Sequence, residues 1–105
     1  MRHEDVIHES IVNYLKNKGV TVFYVPNDIT SNPNDIRRAL RLGMLRGVSD
    51  LIVLMPGRVV FMEVKTPTGT QSALQKKFMT LVRNLGFEYT IVRSISDAKT
   101  YLGLV

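Results

Sequence analysis

Residues 50–65 of the chain read DLIVLMPGRVVFMEVK. Two apolar runs, 51–55 and 59–64, flank Pro56-Gly57 in this stretch. A Pro-Gly dipeptide between two apolar runs is typical of a tight turn, so the stretch predicts a β-hairpin. Both faces of each predicted strand are apolar, which is typical of strands in the middle of a covered sheet. The hairpin is therefore expected to form the centre of the fold.

Three charged side chains stand at the open end of this hairpin. A turn centred on the Pro-Gly dipeptide places Asp50 opposite Glu63, so the two carboxylates share a face. Because side chains alternate along a strand, Lys65 lies on that same face. A β-bulge would break this register. With the register intact, two carboxylates and one ammonium group are predicted to converge at one end of the sheet.

Two explanations of this cluster are open from the residues alone. Like charges that face each other destabilise a strand pair, and a poorly solvated carboxylate costs several kcal/mol or changes its protonation. A divalent cation would remove the conflict between Asp50 and Glu63, since magnesium typically takes one or two carboxylates together with waters and substrate phosphate. Alternatively, Lys65 forms a structural ion pair with one of the two carboxylates.

The remaining elements follow from hydrophobic periodicity and from turn residues. In chain order we predict a helix over 3–18 ended by Gly19, a strand over 21–25, a helix from Pro33 to about 42 with Asn32 as N-cap, the hairpin over 50–65, a helix over 72–85 ended by Gly86, a strand over 88–93 and a short helix over 96–102. This order predicts one α/β domain spanning residues 1–105, with helices on both faces of a four-stranded sheet.

The first helix offers a further acidic candidate. At about 100° per residue, Glu4 falls at the centre of the apolar stripe that Ile7, Ile11 and Leu15 form. Glu9 is predicted to point outward, whereas His8 borders the stripe. Glu4 could therefore reach into a site at the sheet edge, or it could be a first-turn acid that merely favours the helix dipole.

Composition narrows the class of protein. Zero cysteines exclude disulfides and thiolate metal sites. No apolar run approaches the roughly 20 residues needed to cross a bilayer, and no secretory signal is visible, so we expect a cytoplasmic protein with no membrane partner. The formal net charge of +5 favours a polyanionic partner such as nucleic acid.

Six basic residues are candidates for contacts with nucleic acid. They cluster on the second helix and its exit, and at the start of the third helix: Arg37, Arg38, Arg41, Arg46, Lys76 and Lys77. Such a run is also what a solvated helix face contains. The absence of a base-reading motif favours recognition of the backbone or of DNA shape over recognition of sequence.

Several motifs together resemble one nuclease family. They are Glu4, Asn27, Gly47-Val48-Ser49-Asp50, Phe61-Met62-Glu63-Val64-Lys65, Gly69-Thr70-Gln71-Ser72 and Gln75. Across nearly the whole chain they resemble the virus-type replication-repair nuclease (VRR-NUC) domain of the PD-(D/E)xK superfamily. The resemblance implies a restriction-endonuclease-like αβββαβ core, to which the helix predicted between the first two strands would be an addition. Ser49 departs from the proline of the superfamily name, and His8 stands where glutamine is expected.

The resemblance also implies a chemistry. It implies a magnesium- or manganese-dependent phosphodiesterase in which Asp50, Glu63 and the backbone carbonyl of Val64 hold the ion, and Glu4 joins directly or through water. Lys65 would orient or activate the attacking water. Gln75 would lie near the site, although Ser72 and Gln75 also have the spacing of a helix capping box.

The resemblance further implies a DNA endonuclease of replication or repair, typically encoded by a phage or prophage. Some such stand-alone domains are similar to dimeric Holliday-junction resolvases, and one site per chain means that cutting both strands of a branched duplex requires a homodimer. A non-catalytic nucleic-acid-binding module with the same fold is the alternative. A small α/β interaction protein is a third class that the charge and the motifs disfavour.

Overall fold

The computed structural model describes residues 3–26 and 32–105. Its elements, in chain order, are α1 (His3–Asn17), β1 (Thr21–Tyr24), α2 (Pro33–Arg41), β2 (Leu51–Met55), β3 (Arg58–Val64), α3 (Ala73–Asn84), β4 (Glu88–Val92) and α4 (Ile95–Leu102). Every predicted element is present, with bounds that differ from the predicted ones by no more than one residue, which is the usual uncertainty of frayed ends. Asn27 lies outside the described residues.

The four strands form one mixed sheet in the order β1-β2-β3-β4. β1 and β3 pair with β2 in antiparallel fashion, whereas β4 pairs with β3 in parallel. The hairpin has the predicted register, with Ile52 opposite Phe61. The ladder ends at the pair Leu51 and Met62, so Asp50 lies one residue beyond it. The hairpin thus supplies the two central strands, which explains why both of its faces are apolar.

Helices cover both faces of the sheet. On one face, α1 and α4 close a core that includes the fully buried Ile11, Leu15 and Val60. On the other face, α3 packs through Phe78 and Val82. The fold is the predicted α/β arrangement, with a restriction-endonuclease-like αβββαβ core and an additional helix, α2, between the first two strands.

The starts of two helices are capped as the sequence predicts. The side chain of Asn32 accepts a hydrogen bond from the backbone of Asn34 at the start of α2. At the start of α3, Ser72 and Gln75 form a reciprocal capping box. This cap fixes the side chain of Gln75 against the first turn of α3.

The additional helix α2 is the least buried element. None of its residues is buried, although it is strongly amphipathic. Three apolar side chains are exposed here: Leu40 at the end of α2, and Leu42 and Leu45 in the segment that follows it. This part of the surface therefore offers apolar area that the rest of the described chain leaves uncovered.

Within residues 3–26 and 32–105, no helix has the length and apolar character that crossing a membrane requires.

Candidate active site

An open cavity of about 430 Å³ lies at the end of the hairpin where Asp50 and Lys65 stand. Its lining combines the start of α1, the end of β1, the end of the hairpin and the start of α3: Glu4, Asp5, His8, Glu9, Tyr24, Asp50, Lys65 and Gln75. Four of the five predicted catalytic residues therefore border one space. The fifth, Glu63, has no exposed surface and is next to the cavity through its contact with Lys65.

Asp50 is held at the cavity wall by the backbone. Its Oδ2 accepts a hydrogen bond of 2.8 Å from the backbone nitrogen of Val64, at the end of the neighbouring strand. Burial raises the pKa of Asp50 above the usual aspartate value, and the charges of Glu4 and Glu63 act in the same direction. The Val64 hydrogen bond and His8 oppose this rise in pKa without cancelling it. Asp50 is thus a carboxylate whose ionised form lacks sufficient compensation from the chain itself.

Glu63 is fully buried and only one of its oxygens is hydrogen-bonded. Oε1 accepts from the hydroxyl of Tyr89 and, at 3.3 Å, from Nε2 of Gln71. Oε2 is buried without a hydrogen-bond partner, and Nζ of Lys65 lies 3.9 Å from it. That distance exceeds the roughly 2.7–2.9 Å of a charge-assisted hydrogen bond. The Glu63–Lys65 ion pair is therefore present but leaves Oε2 unsatisfied, which is costly for a buried carboxylate.

The donor set suits a hard divalent cation. In the part of the chain that the structure describes, no three His, Cys, Asp or Glu side chains come together as a metal-binding group. At the end of the hairpin, the carboxylates of Asp50 and Glu63 lie within electrostatic range of each other, so a cation there would draw its remaining ligands from backbone and water oxygens. Magnesium typically binds through one or two carboxylates and keeps several waters, so the residues present fit this ion. A cation would also supply the partner that Oε2 of Glu63 lacks.

Glu4 borders the cavity from the first turn of α1, where it is half-buried. Its charge raises the pKa of Asp50, so it lies within electrostatic range of that carboxylate. Both ways in which Glu4 could join a metal site, directly or through a bound water, stay predictions.

Glu9 and His8 border the cavity from the flank of α1. Glu9 is exposed, as the helix phase predicts, yet it lines the cavity together with Asp5. The reason is that the cavity opens to solvent at the end of the core, so the flank of α1 borders it as well as the apolar stripe. His8 lines the same wall and packs edge-to-face against Tyr24, with 5.0 Å between ring centroids.

Gln75 takes part in the helix cap and also borders the cavity, the two positions that the sequence predicted for it. Its Oε1 accepts a 2.8 Å hydrogen bond from the backbone of Ser72, which confirms the capping box. It also lines the cavity. The cap therefore holds Gln75 at the cavity wall.

Two residues near Glu63 were not among the predicted site residues. Tyr89 lies on β4 beside Phe61 in the parallel ladder, and it reaches Glu63 from there. Burial, followed by the hydrogen bond to Glu63, raises the pKa of Tyr89, so the hydroxyl stays protonated and acts as donor. Gln71 belongs to a recognised motif but had no assigned role. Side-chain alternation along β4 predicts which residues share a face with Tyr89. Only the pairing register of β3 and β4 shows that Tyr89 lies close enough to contact Glu63.

The predicted basic residues fall into three groups by position. Arg46 is exposed and lines a second cavity of about 220 Å³ together with Asp50 and Gln75. Lys76 and Lys77 are exposed in the first turns of α3. The other three lie on α2, exposed and outside the cavities that contain Asp50: Arg37, Arg38 and Arg41. Of the six, the structure therefore brings Arg46 to a cavity that contains Asp50, and the α2 arginines line neither of these cavities.

Comparison with known proteins identifies the fold. No protein-family model and no curated protein matches the chain. Chains of solved structures do match it, and two of them are as follows. One, described as a "VRR_NUC domain protein", has a TM-score of 0.78 and 16% identity over 98% of this chain and 87% of its own. Another, described as a "VRR_NUC domain", has a TM-score of 0.70 and 19% identity over 95% of this chain and 94% of its own. The protein therefore has the fold of VRR-NUC domains, as its motifs predicted.

Proposed function

We propose that the protein is a metal-dependent DNA endonuclease of the VRR-NUC family. The observation that carries the proposal is the fully buried Glu63, whose Oε2 lacks a hydrogen-bond partner beside an Asp50 with a raised pKa. A chain that needed only a structural ion pair would have no reason to leave two carboxylates so poorly compensated. The VRR-NUC fold supports the same conclusion.

The proposed cofactor is magnesium or manganese. Asp50, Glu63 and the backbone carbonyl of Val64 would hold it, with Glu4 joining directly or through a bound water. When bound, such an ion lowers the pKa of a coordinated water and screens the negative charge that develops on the phosphate.

The chain's own residues would position the reactants. Lys65 lies on the cavity wall with its ammonium group beside Glu63, where it would donate hydrogen bonds to the attacking water or to a phosphate oxygen. Its side chain is only 12% exposed, so this charge is poorly screened and acts strongly on nearby groups. Gln75, fixed by the cap of α3, would orient the water or the phosphate from its own position on the cavity wall.

The charges around the cavity support a direction of approach for DNA. Exposed acids, Asp5 and Glu9, border it on the α1 side, whereas Arg46 lines the second cavity, which shares Asp50 and Gln75 with the first, and the exposed Lys76 follows Gln75 on α3. A phosphate backbone is repelled by the acids and attracted by the basic side chains. We therefore propose that DNA enters over the start of α3, and that its contacts are non-specific and sensitive to salt.

We further propose that the substrate is branched DNA, such as a Holliday junction, and that the protein acts as a homodimer in a phage or prophage replication or repair pathway. Two cuts in one branched molecule need two sites, and each chain carries one. The exposed apolar side chains Leu40 and Leu42 support association with a second copy. A monomeric mass by light scattering at micromolar protein would contradict this part of the proposal.

The test is cleavage of labelled four-way, flap and linear duplex DNA with magnesium, with manganese, or with EDTA. We expect cleavage in either metal, a preference for branched substrates and no cleavage in EDTA. If no metal supports cleavage, the nuclease assignment fails. Retained DNA binding in that case would favour the alternative of a non-catalytic nucleic-acid-binding module.

The raised pKa of Asp50 predicts that its ionised carboxylate lowers the stability of the folded protein. In metal-free protein, Asp50→Asn is expected to raise the melting temperature at pH 7. Because the folded-state pKa lies above the ordinary value of 3.8, the folded protein binds the Asp50 proton more tightly than the unfolded chain does. Stability is therefore lost as the pH rises from about 3.8 through the raised pKa, and the advantage of the variant should shrink toward acid pH.

Thermal unfolding in EDTA between pH 3.5 and pH 7.5 would measure this effect. Asp5→Asn is the matched control, since Asp5 borders the same cavity but is exposed. Its melting temperature should not exceed that of the wild type. A lower melting temperature for Asp50→Asn at pH 7 would contradict the interpretation that Asp50 is under electrostatic strain.

A further inference from the structure

The two oxygens of Glu63 have different surroundings. Oε1 accepts hydrogen bonds from the Tyr89 hydroxyl and from the Gln71 amide, so its capacity is taken by protein donors. Oε2 accepts none and lies on the side of Lys65. Glu63 therefore has one oxygen, Oε2, that accepts no hydrogen bond from the protein.

The tyrosine donor is itself held rigidly. The side chain of Tyr89 is almost completely buried, and its ring packs edge-to-face against Phe78 at 6.0 Å between centroids. The guanidinium group of Arg83 lies 5.9 Å from the centre of the same ring and donates to the backbone oxygen of Tyr89. The hydroxyl therefore has little freedom to leave Glu63.

The amide donor comes from an anchored loop. Nη1 of Arg93 donates to the backbone oxygens of Thr66 and Gly69, at 2.5 Å and 2.7 Å. These bonds fix the segment that precedes Gln71. Nε2 of Gln71 also contacts the sulfur of Met79 at 3.7 Å, which adds a contact with α3.

We propose that Tyr89 and Gln71 are positioning residues that restrict Glu63 to ligation through Oε2, and that they thereby bias the site toward magnesium and against calcium. The proposal rests on the metal site proposed above and deepens it. Neither residue needs to touch the metal or the substrate.

The physical reason lies in the coordination habits of the two ions. Magnesium requires near-ideal octahedral geometry at about 2.0–2.1 Å, which single-oxygen ligation by a fixed carboxylate favours. Calcium accepts six to eight oxygens and readily takes a carboxylate through both oxygens. Occupying Oε1 denies calcium that second oxygen, whereas releasing Oε1 would restore it.

The experiment is titration of the whole protein with magnesium chloride and with calcium chloride, followed by amide chemical shifts. In Tyr89→Phe, the dissociation constant for magnesium should rise about tenfold or more, the usual effect of removing an outer partner of a metal ligand. The dissociation constant for calcium should rise less or fall. The ratio of the two constants is therefore the readout, and the spectra also show whether the variant is folded.

Tyr101→Phe is the matched control. The Tyr101 hydroxyl donates to a different glutamate, Glu88, at 3.1 Å, and neither residue lines the cavity. Both dissociation constants should stay at their wild-type values in this variant. Gln71→Ala provides a second test that keeps Tyr89, and it should shift the ratio in the same direction; it decides the question if Tyr89→Phe does not fold.

The outcomes separate the two levels of the proposal. A wild-type protein that binds neither ion would overturn the metal site and this inference with it. Binding to the wild type, with an unchanged ratio in the folded variants, would overturn the positioning role alone. Equal weakening for both ions would likewise show a merely structural role.

Discussion

Glu63→Gln should reduce DNA cleavage by about a thousandfold or more while the protein remains folded. A catalytic metal ion contributes several kcal/mol of charge stabilisation, and about 4 kcal/mol corresponds to a thousandfold in rate. The substitution removes the negative charge without changing the size of the side chain. Its amide oxygen can still accept the hydrogen bond from Tyr89, so the buried environment is kept. Cleavage rates with magnesium and with manganese, measured beside thermal unfolding, would check this.

Glu88→Gln is the matched control for that experiment. Glu88 also lies on the sheet, but it pairs with Arg58 at 2.8 Å and is partly exposed, away from the cavity. Loss of this pair should cost at most about 1 kcal/mol of stability and leave cleavage intact. If Glu63→Gln keeps cleavage within tenfold of the wild type, Glu63 is not a metal ligand.

Gly47→Ala should destabilise the domain by about 2–5 kcal/mol, the sum of backbone strain and of forced contact in a packed region. The φ angle of Gly47 is +86°, which L residues with a side chain rarely adopt. A β carbon there would lie 2.4 Å from the backbone oxygen of Leu74, in the first turn of α3. The chain would have to move the cap that holds Gln75, so we expect cleavage to fall as well. Such a loss is large against a typical total of about 5–15 kcal/mol.

Gly86→Ala separates the two contributions. Gly86 has the same φ of +86°, but a β carbon there would meet no heavy atom within 4 Å. It should therefore show only the backbone strain, about 1–2 kcal/mol. Thermal or denaturant unfolding of both variants would measure the difference. Equal losses in the two variants would mean that the approach of Gly47 to α3 costs nothing.

Much of the fold was predictable because it depends on interactions between residues that are close together in the sequence. The Pro56-Gly57 turn set the register of the hairpin, because a tight turn leaves only one way to pair the two apolar runs. Helix ends were equally local: Asn32 and Ser72 cap helices through their own neighbours in the chain. The positions of Asp50 and Lys65 at one end of the hairpin followed from that register and from side-chain alternation.

Contacts between distant segments were not predictable in this way. Tyr89 meets Glu63 only because β4 pairs in parallel with β3, through a connection that includes a whole helix. No tight turn specifies the register between β3 and β4. The sequence of β4 therefore predicts which of its residues share a face, but not which residues of β3 they meet. For the same reason, the placement of Glu9 on the cavity and the separation of Arg46 from the α2 arginines depend on how helices pack against the sheet.

The sequence by itself determined the hairpin, the order of the elements and the presence of Asp50, Glu63 and Lys65 at one end of the sheet, because turns, caps and alternation act over a few residues. Only the tertiary structure decided that Glu63 is fully buried with Oε1 occupied and Oε2 unpartnered. Burial and the choice of hydrogen-bond partner depend on segments far apart in the chain, which packing brings together and local patterns do not encode.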